Sequence, residues 1–183
     1  MEVQQAIKSR RAIRKYQRTP VDDEALNQVL KAARMAPSWA NTQCARFVVV
    51  RSAEIKDRLA ATLPGANPAH NAIKEAPVVI VACARLGRSG FKGGEATTDK
   101  GDWYMFDVAI AMENLALSAH DLGLGTVYIG LFDAKKAAEV LEIPSGFCAV
   151  SMTPLGYPDE NPQAPQRKDL GEIVAYEKFS LTE

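Results

Sequence analysis

The sequence predicts an α+β fold, in which short apolar strands are separated by amphipathic helices. A compact β-branched run at residues 47–50 and a largely apolar stretch at 147–155 predict strands, and the uninterrupted apolar run at 77–84 is typical of a strand that is covered on both faces. The segments between these runs carry apolar residues at a spacing of three or four, which is the repeat of a helix. The chain has 183 residues and no internal repeat, so we expect one domain over 1–183.

Capping and breaking residues set the expected bounds of the helices. A short helical stripe from Val3 ends near the arginines at positions 10 and 11. Either Thr19-Pro20 or Asp22 can start the second helix, and Pro37 stops it. The remaining helices are expected at 53–62, 68–75, 103–122 and 133–141. The rest of the chain is expected to form a short strand at 126–129, a linker at 159–167 and an extended tail at 170–175.

The longest predicted helix, residues 103–122, follows a glycine-rich polar loop at 85–102. A loop of this length inside a compact domain is usually a lid or another functional segment. The helix has an apolar stripe longer than a small domain covers by itself, so we expect it to contact a second subunit. The residues expected to face a core are Met105, Val108, Ala109, Met112, Leu115, Ala116 and Ala119.

The composition excludes several classes of partner. Basic and acidic residues both number 22, so there is no overall field to attract nucleic acid or an anionic membrane. No apolar run is long enough to span a bilayer, and the first residues do not resemble a signal peptide. Three widely spaced cysteines favour neither a disulfide framework nor a metal site. We therefore expect a cytoplasmic protein.

Cationic residues are concentrated near the N-terminus, where six of the residues from Lys8 to Arg18 are basic. Arginine suits a terminal phosphate because its planar guanidinium group donates paired hydrogen bonds and stays charged. Arg10 and Arg14 are one helical turn apart and would share a face at the end of a helix. A solvated basic surface is the alternative interpretation.

A second polar segment, Ala36 to Gln43, follows the second predicted helix. Its amides, its Ser38 hydroxyl and the Trp39 indole suit a flat heterocycle whose donors and acceptors must be matched once it is buried. A phosphate at one end and a polar ring at the other describe a mononucleotide such as FMN. The alternative is a turn that ends a helix, although such a turn leaves the large Trp39 ring unexplained.

These segments resemble the FMN-dependent nitroreductase family. The resemblance continues downstream, where Asn71 and Lys74 precede the apolar run 77–84 and where residues 107–130 are similar to the family's central helix and following strand. Residues 153–158 precede Arg167 and Lys168 much as in the family's closing pattern. Because the similar segments occur in the family's order over nearly the whole chain, no single motif accounts for the match.

The resemblance implies a nitroreductase-like fold, with a central mixed β-sheet surrounded by helices and FMN bound at the interface of a homodimer. It also implies an enzyme that takes hydride from NADH or NADPH through flavin N5. The acceptor would be a nitroaromatic, a quinone or a similar small molecule, reduced by a ping-pong mechanism. The alternatives are a flavin-binding sensor or storage module without turnover, and another reaction on the same scaffold, such as reductive dehalogenation or flavin fragmentation.

The resemblance also implies roles for individual residues at the N-terminal site. Arg10 would bind the phosphate or ribityl end of FMN, and Arg14 would place a cation against the flavin N1/O2 edge. Arg11 and Ala12 would line the ribityl region, Ala12 through its backbone. The loop that reaches FMN from the second subunit would contribute Pro37, Ser38, Trp39 and Asn41.

Other implied site residues come from later in the chain. Asn71 would hydrogen-bond the flavin near its N5/O4 edge, and Lys74 would lie near the nicotinamide or the substrate. Arg167, with Lys168, would supply a second phosphate-binding cation. The backbone contacts to the flavin ring would come from Tyr128, Ile129, Gly130 and Leu131. Since FMN carries the chemistry, Arg14, Asn71 and Lys74 are candidates only for the flavin and substrate edge, and no metal is expected.

Overall fold

The computed structural model describes residues 1–181, which contain six strands, seven α-helices and one short 3-10 helix at Trp39–Asn41. The strands are β1 (Ala45–Val50), β2 (Val78–Arg85), β3 (Phe91–Lys92), β4 (Glu95–Ala96), β5 (Gly125–Thr126) and β6 (Phe147–Gly156). The helices are α1 (Val3–Ser9), α2 (Asp23–Arg34), α3 (Ala53–Ala60), α4 (His70–Glu75), α5 (Tyr104–Asp121), α6 (Ala134–Val140) and α7 (Leu170–Ile173).

Four strands form the main sheet in the order β1-β2-β6-β5, and each neighbouring pair is antiparallel. The register between β2 and β6 shifts at Ala82 and Cys83, where the ladder contains a bulge. A parallel contact occurs at the bridge between Ala12 and Thr126. The mixed character expected for the sheet is therefore limited, within residues 1–181, to this bridge beside β5.

Strand β2 is buried on both faces, as its continuous apolar run predicts. Val78, Ile80 and alternate residues beyond them pack with α2 and α5 in one cluster. Val79, Val81 and Cys83 pack with α3, α4 and α6 in another cluster on the opposite face. The sheet therefore has helices on both sides, and its core consists of two layers.

Asp22 is the N-cap of α2, which resolves the choice between it and Thr19-Pro20. Its side chain accepts the backbone N–H of Ala25 at 2.7 Å. Asp133 caps α6 in the same way, as predicted, and accepts the N–H of Lys136 at 3.1 Å. Both caps satisfy a donor in the first turn that the helix itself leaves unpaired.

Two predictions about apolar segments were wrong in part. Met105 and Ala109 lie on the outer side of α5 and are exposed, whereas the other five residues of the predicted stripe are buried. The tail after position 169 is not simply extended, because α7 forms there behind a capping box made by Asp169 and Glu172. This helix has only four residues, so it gives no clear periodic pattern of apolar residues in the sequence.

The arginines at the N-terminus lie outside the helix. Helix α1 ends at Ser9, and residues from Arg10 onward run in an extended path beside β5. Ile13 donates its N–H to the carbonyl of Thr126 at 2.9 Å, and Tyr16 forms an antiparallel bridge with Pro158. The prediction that Arg10 and Arg14 share a face through one helical turn was therefore wrong, because this segment pairs with the edge of the sheet instead of continuing the helix.

Across residues 1–181 there is no helix with the length and apolar character needed to cross a membrane.

Candidate cofactor site

Four residues of the N-terminal extended segment and four residues from near the other end of the chain line a single cavity. The cavity has a volume of about 340 Å³. We call it the arginine cavity. Its lining residues are Arg10, Arg11, Ala12, Arg14, Pro162, Gln163, Pro165 and Arg167. Five of the predicted site residues are thus brought together, even though Arg167 is remote from the others in sequence.

The guanidinium groups of Arg10, Arg14 and Arg167 form no ion pair with any carboxylate within residues 1–181. The Arg11 guanidinium behaves differently, because its Nη1 donates to the carbonyls of Lys8 and Arg10 at 2.7 and 2.9 Å. It thereby closes the C-terminal end of α1. Cations that have no acidic partner among the described residues suit an anionic ligand such as a phosphate.

A second cavity adjoins the first and shares Arg14 with it. This cavity, which we call the Asn71 cavity, has a volume of about 510 Å³. It is bounded by the segment from Arg14 to Tyr16, by the start of α4 with Asn71, and by acidic side chains at Glu75, Asp159 and Glu160. Arg14 and Asn71 therefore line a common space, and Arg14 also lines the arginine cavity.

Glu160 holds the wall between these two cavities in place. Its carboxylate accepts the backbone N–H of Arg14 and also that of Lys15, the latter at 3.2 Å. The buried Tyr16 hydroxyl donates to the carbonyl of Ile13 at 2.6 Å, and burial raises the pKa of this phenol. Sequence reasoning missed Glu160, since a single acidic residue in a proline-rich linker gives no signal of a partner 146 positions away.

The predicted polar loop lies at a third cavity, of about 320 Å³, which we call the loop cavity. Pro37, Ser38 and Gln43 line it together with Asp107 and residues of α2, β1 and α5. The Ser38 hydroxyl accepts the N–H of Gln43 at 2.9 Å and closes the loop on itself. Among residues 1–181, none lines both this cavity and either the arginine cavity or the Asn71 cavity.

The loop contains backbone conformations that side chains disfavour. Ala40, Asn41 and Gln43 have φ values of 44°, 54° and 48°. Such left-handed residues other than glycine are uncommon and often occur where a surrounding structure holds a functional loop in shape. Asn41 itself is exposed, while the Trp39 side chain is half-buried.

Asp107, in the first turn of α5, is the second residue that sequence reasoning missed. It is only 2% exposed and accepts the N–H of Trp39 at 3.0 Å. The buried Cys44 thiol also donates to it, at 3.4 Å, and burial together with this hydrogen bond raises the pKa of Cys44 to about 12. A signal was present, because an aspartate occupies the apolar stripe of a helix that is otherwise buried at that face.

Residues 128–131 do not line the arginine cavity or the Asn71 cavity. Tyr128 and Gly130 instead line an apolar space of about 420 Å³ with Met105 and other residues of α5. The Tyr128 hydroxyl donates to the Glu113 carboxylate at 2.7 Å, and burial is the main cause of the raised pKa of this phenol. Ile129 is buried where it pairs with Met152, and Leu131 is exposed.

Two of the predicted cations lie elsewhere. Lys74 forms an ion pair with Asp57 of α3 at 3.6 Å, with both side chains largely in solvent. Lys168 follows Arg167 and is exposed. In the described part of the chain, no group of three or more His, Cys, Asp or Glu side chains could hold a metal ion.

The model of the Nitroreductase family matches residues 7–72 and 64–157. A protein of Methanothermobacter thermautotrophicus, whose name pairs NADH dehydrogenase with NAD(P)H nitroreductase, is 35% identical over 88% of this chain and 80% of its own length. A nitroreductase family protein from Clostridium novyi NT is 34% identical, with a TM-score of 0.78 over 100% of this chain and 97% of that one. An FMN-dependent nitroreductase from Clostridium difficile R20291 is 29% identical, with a TM-score of 0.79 over 95% and 98% of the two chains.

The match of the family model extends over most of the chain, and the similar structures cover it almost completely. The chain belongs to the nitroreductase family. Its α+β architecture is the nitroreductase fold, as the sequence predicted.

Proposed function

We propose that this protein is an NAD(P)H-dependent oxidoreductase that binds FMN and reduces a small-molecule acceptor, such as a nitroaromatic or a quinone, by a ping-pong mechanism. One observation carries the proposal: Arg10, Arg14 and Arg167 converge on one cavity, and none of the three forms an ion pair within residues 1–181. Membership in the nitroreductase family supports FMN as cofactor and NAD(P)H as donor. The whole chain would form a single FMN-binding domain.

The residues that are present fit FMN. Arg10 and Arg167, with Lys168 beside it, would hold the phosphate, while Arg11 and the Ala12 backbone would border the ribityl chain. When bound, FMN supplies the capacity to accept hydride from one substrate and to pass it to another. Arg14 borders both cavities, so its charge would stabilise negative charge at the end of the ring nearest to it.

The ring end would be completed by Asn71, whose amide can both donate and accept a hydrogen bond. Lys74 would lie near the nicotinamide or the acceptor only after leaving Asp57. That rearrangement costs little because an exposed ion pair contributes at most about 1 kcal/mol. The backbone of residues 128–131 would contact the ring.

The site would be shared between two subunits of a homodimer. Pro37, Ser38, Trp39 and Asn41 would reach the FMN of the partner. This accords with the finding that no described residue lines both the loop cavity and the arginine cavity. Large apolar side chains exposed on and near α5 support an interface there: Met105, Phe106, Tyr128 and Leu131.

We further propose a cytoplasmic location, because Cys44, Cys83 and Cys148 are all free thiols. No nucleic acid or membrane partner is proposed.

The test begins with the flavin of the purified protein. We expect FMN rather than FAD to be released on denaturation, and rapid anaerobic mixing with NADH and NADPH should bleach it before nitro compounds or quinones restore it. Recovery of FAD, or bleaching that no acceptor reverses, would contradict the proposal.

A second test separates the cofactor site from a merely basic surface. Arg10→Ala removes charge-assisted hydrogen bonds, so FMN affinity should fall at least about tenfold. Arg18→Ala is the matched control, because Arg18 is an exposed arginine of the same basic segment that lines neither cavity. Fluorescence titration of FMN measures both variants, and equal losses in the two would show that the segment acts only through overall charge.

A further inference from the structure

The Asp107 carboxylate accepts three hydrogen bonds from residues 39–44. The Trp39 backbone N–H donates at 3.0 Å, the Cys44 thiol at 3.4 Å and the Thr42 hydroxyl at 3.5 Å. The carboxylate is 2% exposed, and within residues 1–181 it has no ion pair with a cation. Its charge is therefore balanced by these donors and by the positive end of α5.

The three donors flank the strained part of the loop. Trp39 precedes the left-handed residues Ala40 and Asn41, whereas Thr42 and Cys44 flank the left-handed Gln43. Residues in this region of backbone space persist only when their surroundings hold them there. The bonds to Asp107 fix the loop at both ends, and the bond from the Gln43 N–H to the Ser38 hydroxyl closes it.

The loop and the Asp107 carboxylate depend on each other. A buried carboxylate that loses its donors is left with an uncompensated charge, which strongly disfavours any loop conformation that withdraws them. Helix α5 packs against α2 and the sheet through its buried face, so Asp107 is a fixed point to which the loop is tied. The loop conformation and the position of α5 are thus coupled through one side chain.

We infer that Asp107 is a positioning residue for the partner subunit's FMN site: it holds the segment 38–43 in the conformation that presents Ser38 and Asn41 across the interface. The inference rests on the proposed function. Asp107 does not touch the cofactor in this arrangement. Its effect reaches the neighbouring subunit through the loop alone.

The test uses Asp107→Asn, which keeps the size of the side chain but replaces one carboxylate oxygen with an NH2 group. This group cannot accept a hydrogen bond from the donors of the loop. We expect the variant to remain a folded dimer and to bind FMN about tenfold or more weakly, since hydrogen bonds to charged groups are lost. Asp121→Asn at the other end of α5 is the matched control, because Asp121 is bonded to the N-terminal amine and not to the loop. It should bind FMN as the parent does.

Mixed dimers distinguish positioning in the partner from a general loss of structure. A protomer with Asp107→Asn and a protomer with Arg10→Ala, carrying different tags, are purified as the mixed dimer. One of its two sites then combines an unaltered arginine cavity with an unaltered loop. We expect one FMN to bind per mixed dimer with the affinity of the wild-type protein. The homodimers of Asp107→Asn and of Arg10→Ala should both bind FMN weakly.

The possible outcomes distinguish the inference about Asp107 from the proposed function. Parental affinity in the Asp107→Asn dimer, or a mixed dimer with no tight site, overturns the inference while leaving the proposed function intact. A wild-type protein that binds no FMN, or binds it fully as a monomer, overturns the proposed function instead and the inference with it. If Asp107→Asn does not fold, Thr42→Val and Cys44→Ala each remove one donor and are carried through the same mixed-dimer measurement.

Discussion

Within the described part of the chain, Arg14 is the one residue that lines both the arginine cavity and the Asn71 cavity. A cation in this place would act on the ring end of FMN, whereas Arg10 would act on the phosphate, whose charge does not change on reduction. The two arginines should therefore differ in what they control. Arg10 would set affinity, and Arg14 would set the redox potential.

We expect Arg14→Ala to lower the midpoint potential of bound FMN by tens of millivolts, because the cation favours the reduced, more negative ring. For a two-electron couple, a tenfold loss of this preference corresponds to about 30 mV. Redox titration of Arg14→Ala, Arg10→Ala and the wild-type protein measures the effect. The same potential in all three proteins would remove Arg14 from the ring end.

His120 is a second residue whose environment leads to a prediction. Its Nε2 is 2.7 Å from the Ser9 hydroxyl, and burial, followed by the charges of Arg10 and Arg11, lowers its pKa from the ordinary 6.5. The folded state thus binds a proton less readily than the unfolded state. The resulting stability is present above pH 6.5 and is lost as the pH falls toward the lowered pKa.

The free energy of unfolding of the FMN-free protein should therefore fall as the pH is lowered through 6.5 toward the lowered pKa of His120, and His120→Gln should make this fall shallower. Urea denaturation at each pH measures the slope. His70→Gln, at the other histidine of the chain, is the matched control. A parent and a His120→Gln variant with parallel profiles would argue against the assignment.

At the scale of elements, the glycine-rich segment between β2 and α5 is an ordered loop with a small hairpin formed by β3 and β4. Gly90 has a φ of 81°, and a side chain there would place its Cβ 2.5 Å from the carbonyl oxygen of Gly101 and 2.6 Å from the Trp103 ring. The Trp103 indole N–H in turn donates to the Thr98 hydroxyl at 2.8 Å. The loop is therefore packed around the Gly90–Trp103 contact.

Gly90→Ala should destabilise the protein by roughly 1–3 kcal/mol more than Gly93→Ala, because overpacking adds to the backbone cost. Gly93 is the matched control, since its φ is also positive, at 61°, but a Cβ there meets no atom within 4 Å. Thermal and denaturant unfolding compare the two. Equal losses would mean that the loop moves aside at little cost.

The elements show how far the sequence could predict the fold. The runs that became β2 and β6 and the cap at Asp133 depend on neighbours in sequence, so their patterns are visible locally. The extended path of Arg10 to Tyr16 was not visible, because it depends on pairing with Thr126 and Pro158. A local pattern cannot report which sheet edge a segment will join.

The same distinction applies to the candidate site. The cluster of arginines was predicted from its charge, and its meeting with Arg167 followed from the family resemblance. The bond between Asp107 and the loop, the Arg11 bonds to the end of α1 and the pairing of Lys74 with Asp57 were not predicted. Each of these depends on the particular direction of a side chain, which packing decides after the elements have formed.

At the scale of the whole molecule, the end of the chain carries apolar side chains that its own fold leaves in solvent. Tyr176 and Phe179 are 84% and 87% exposed, and Leu170 on α7 is 74% exposed. Aromatic rings in such numbers on a short segment favour contact with another surface. In the proposed homodimer, the partner subunit would provide that surface.

The double variant Tyr176→Ser/Phe179→Ser should raise the dissociation constant of the dimer by about tenfold or more, because each buried aromatic ring contributes roughly 1.5–3 kcal/mol. Light scattering over a dilution series measures the effect. Leu86→Ser, at an exposed apolar residue outside the tail, is the control. Unchanged association in the double variant would place the dimer contact elsewhere.

The separation of the loop cavity from the arginine cavity within one chain has a consequence for mass action. If each cofactor site needs a loop from a second molecule, association and FMN binding are linked equilibria, and each promotes the other. Dilution below the dimer dissociation constant would then release flavin even at a fixed FMN concentration. The activity of each molecule would rise with the abundance of the protein, so that cells making little of it would hold mostly inactive single chains.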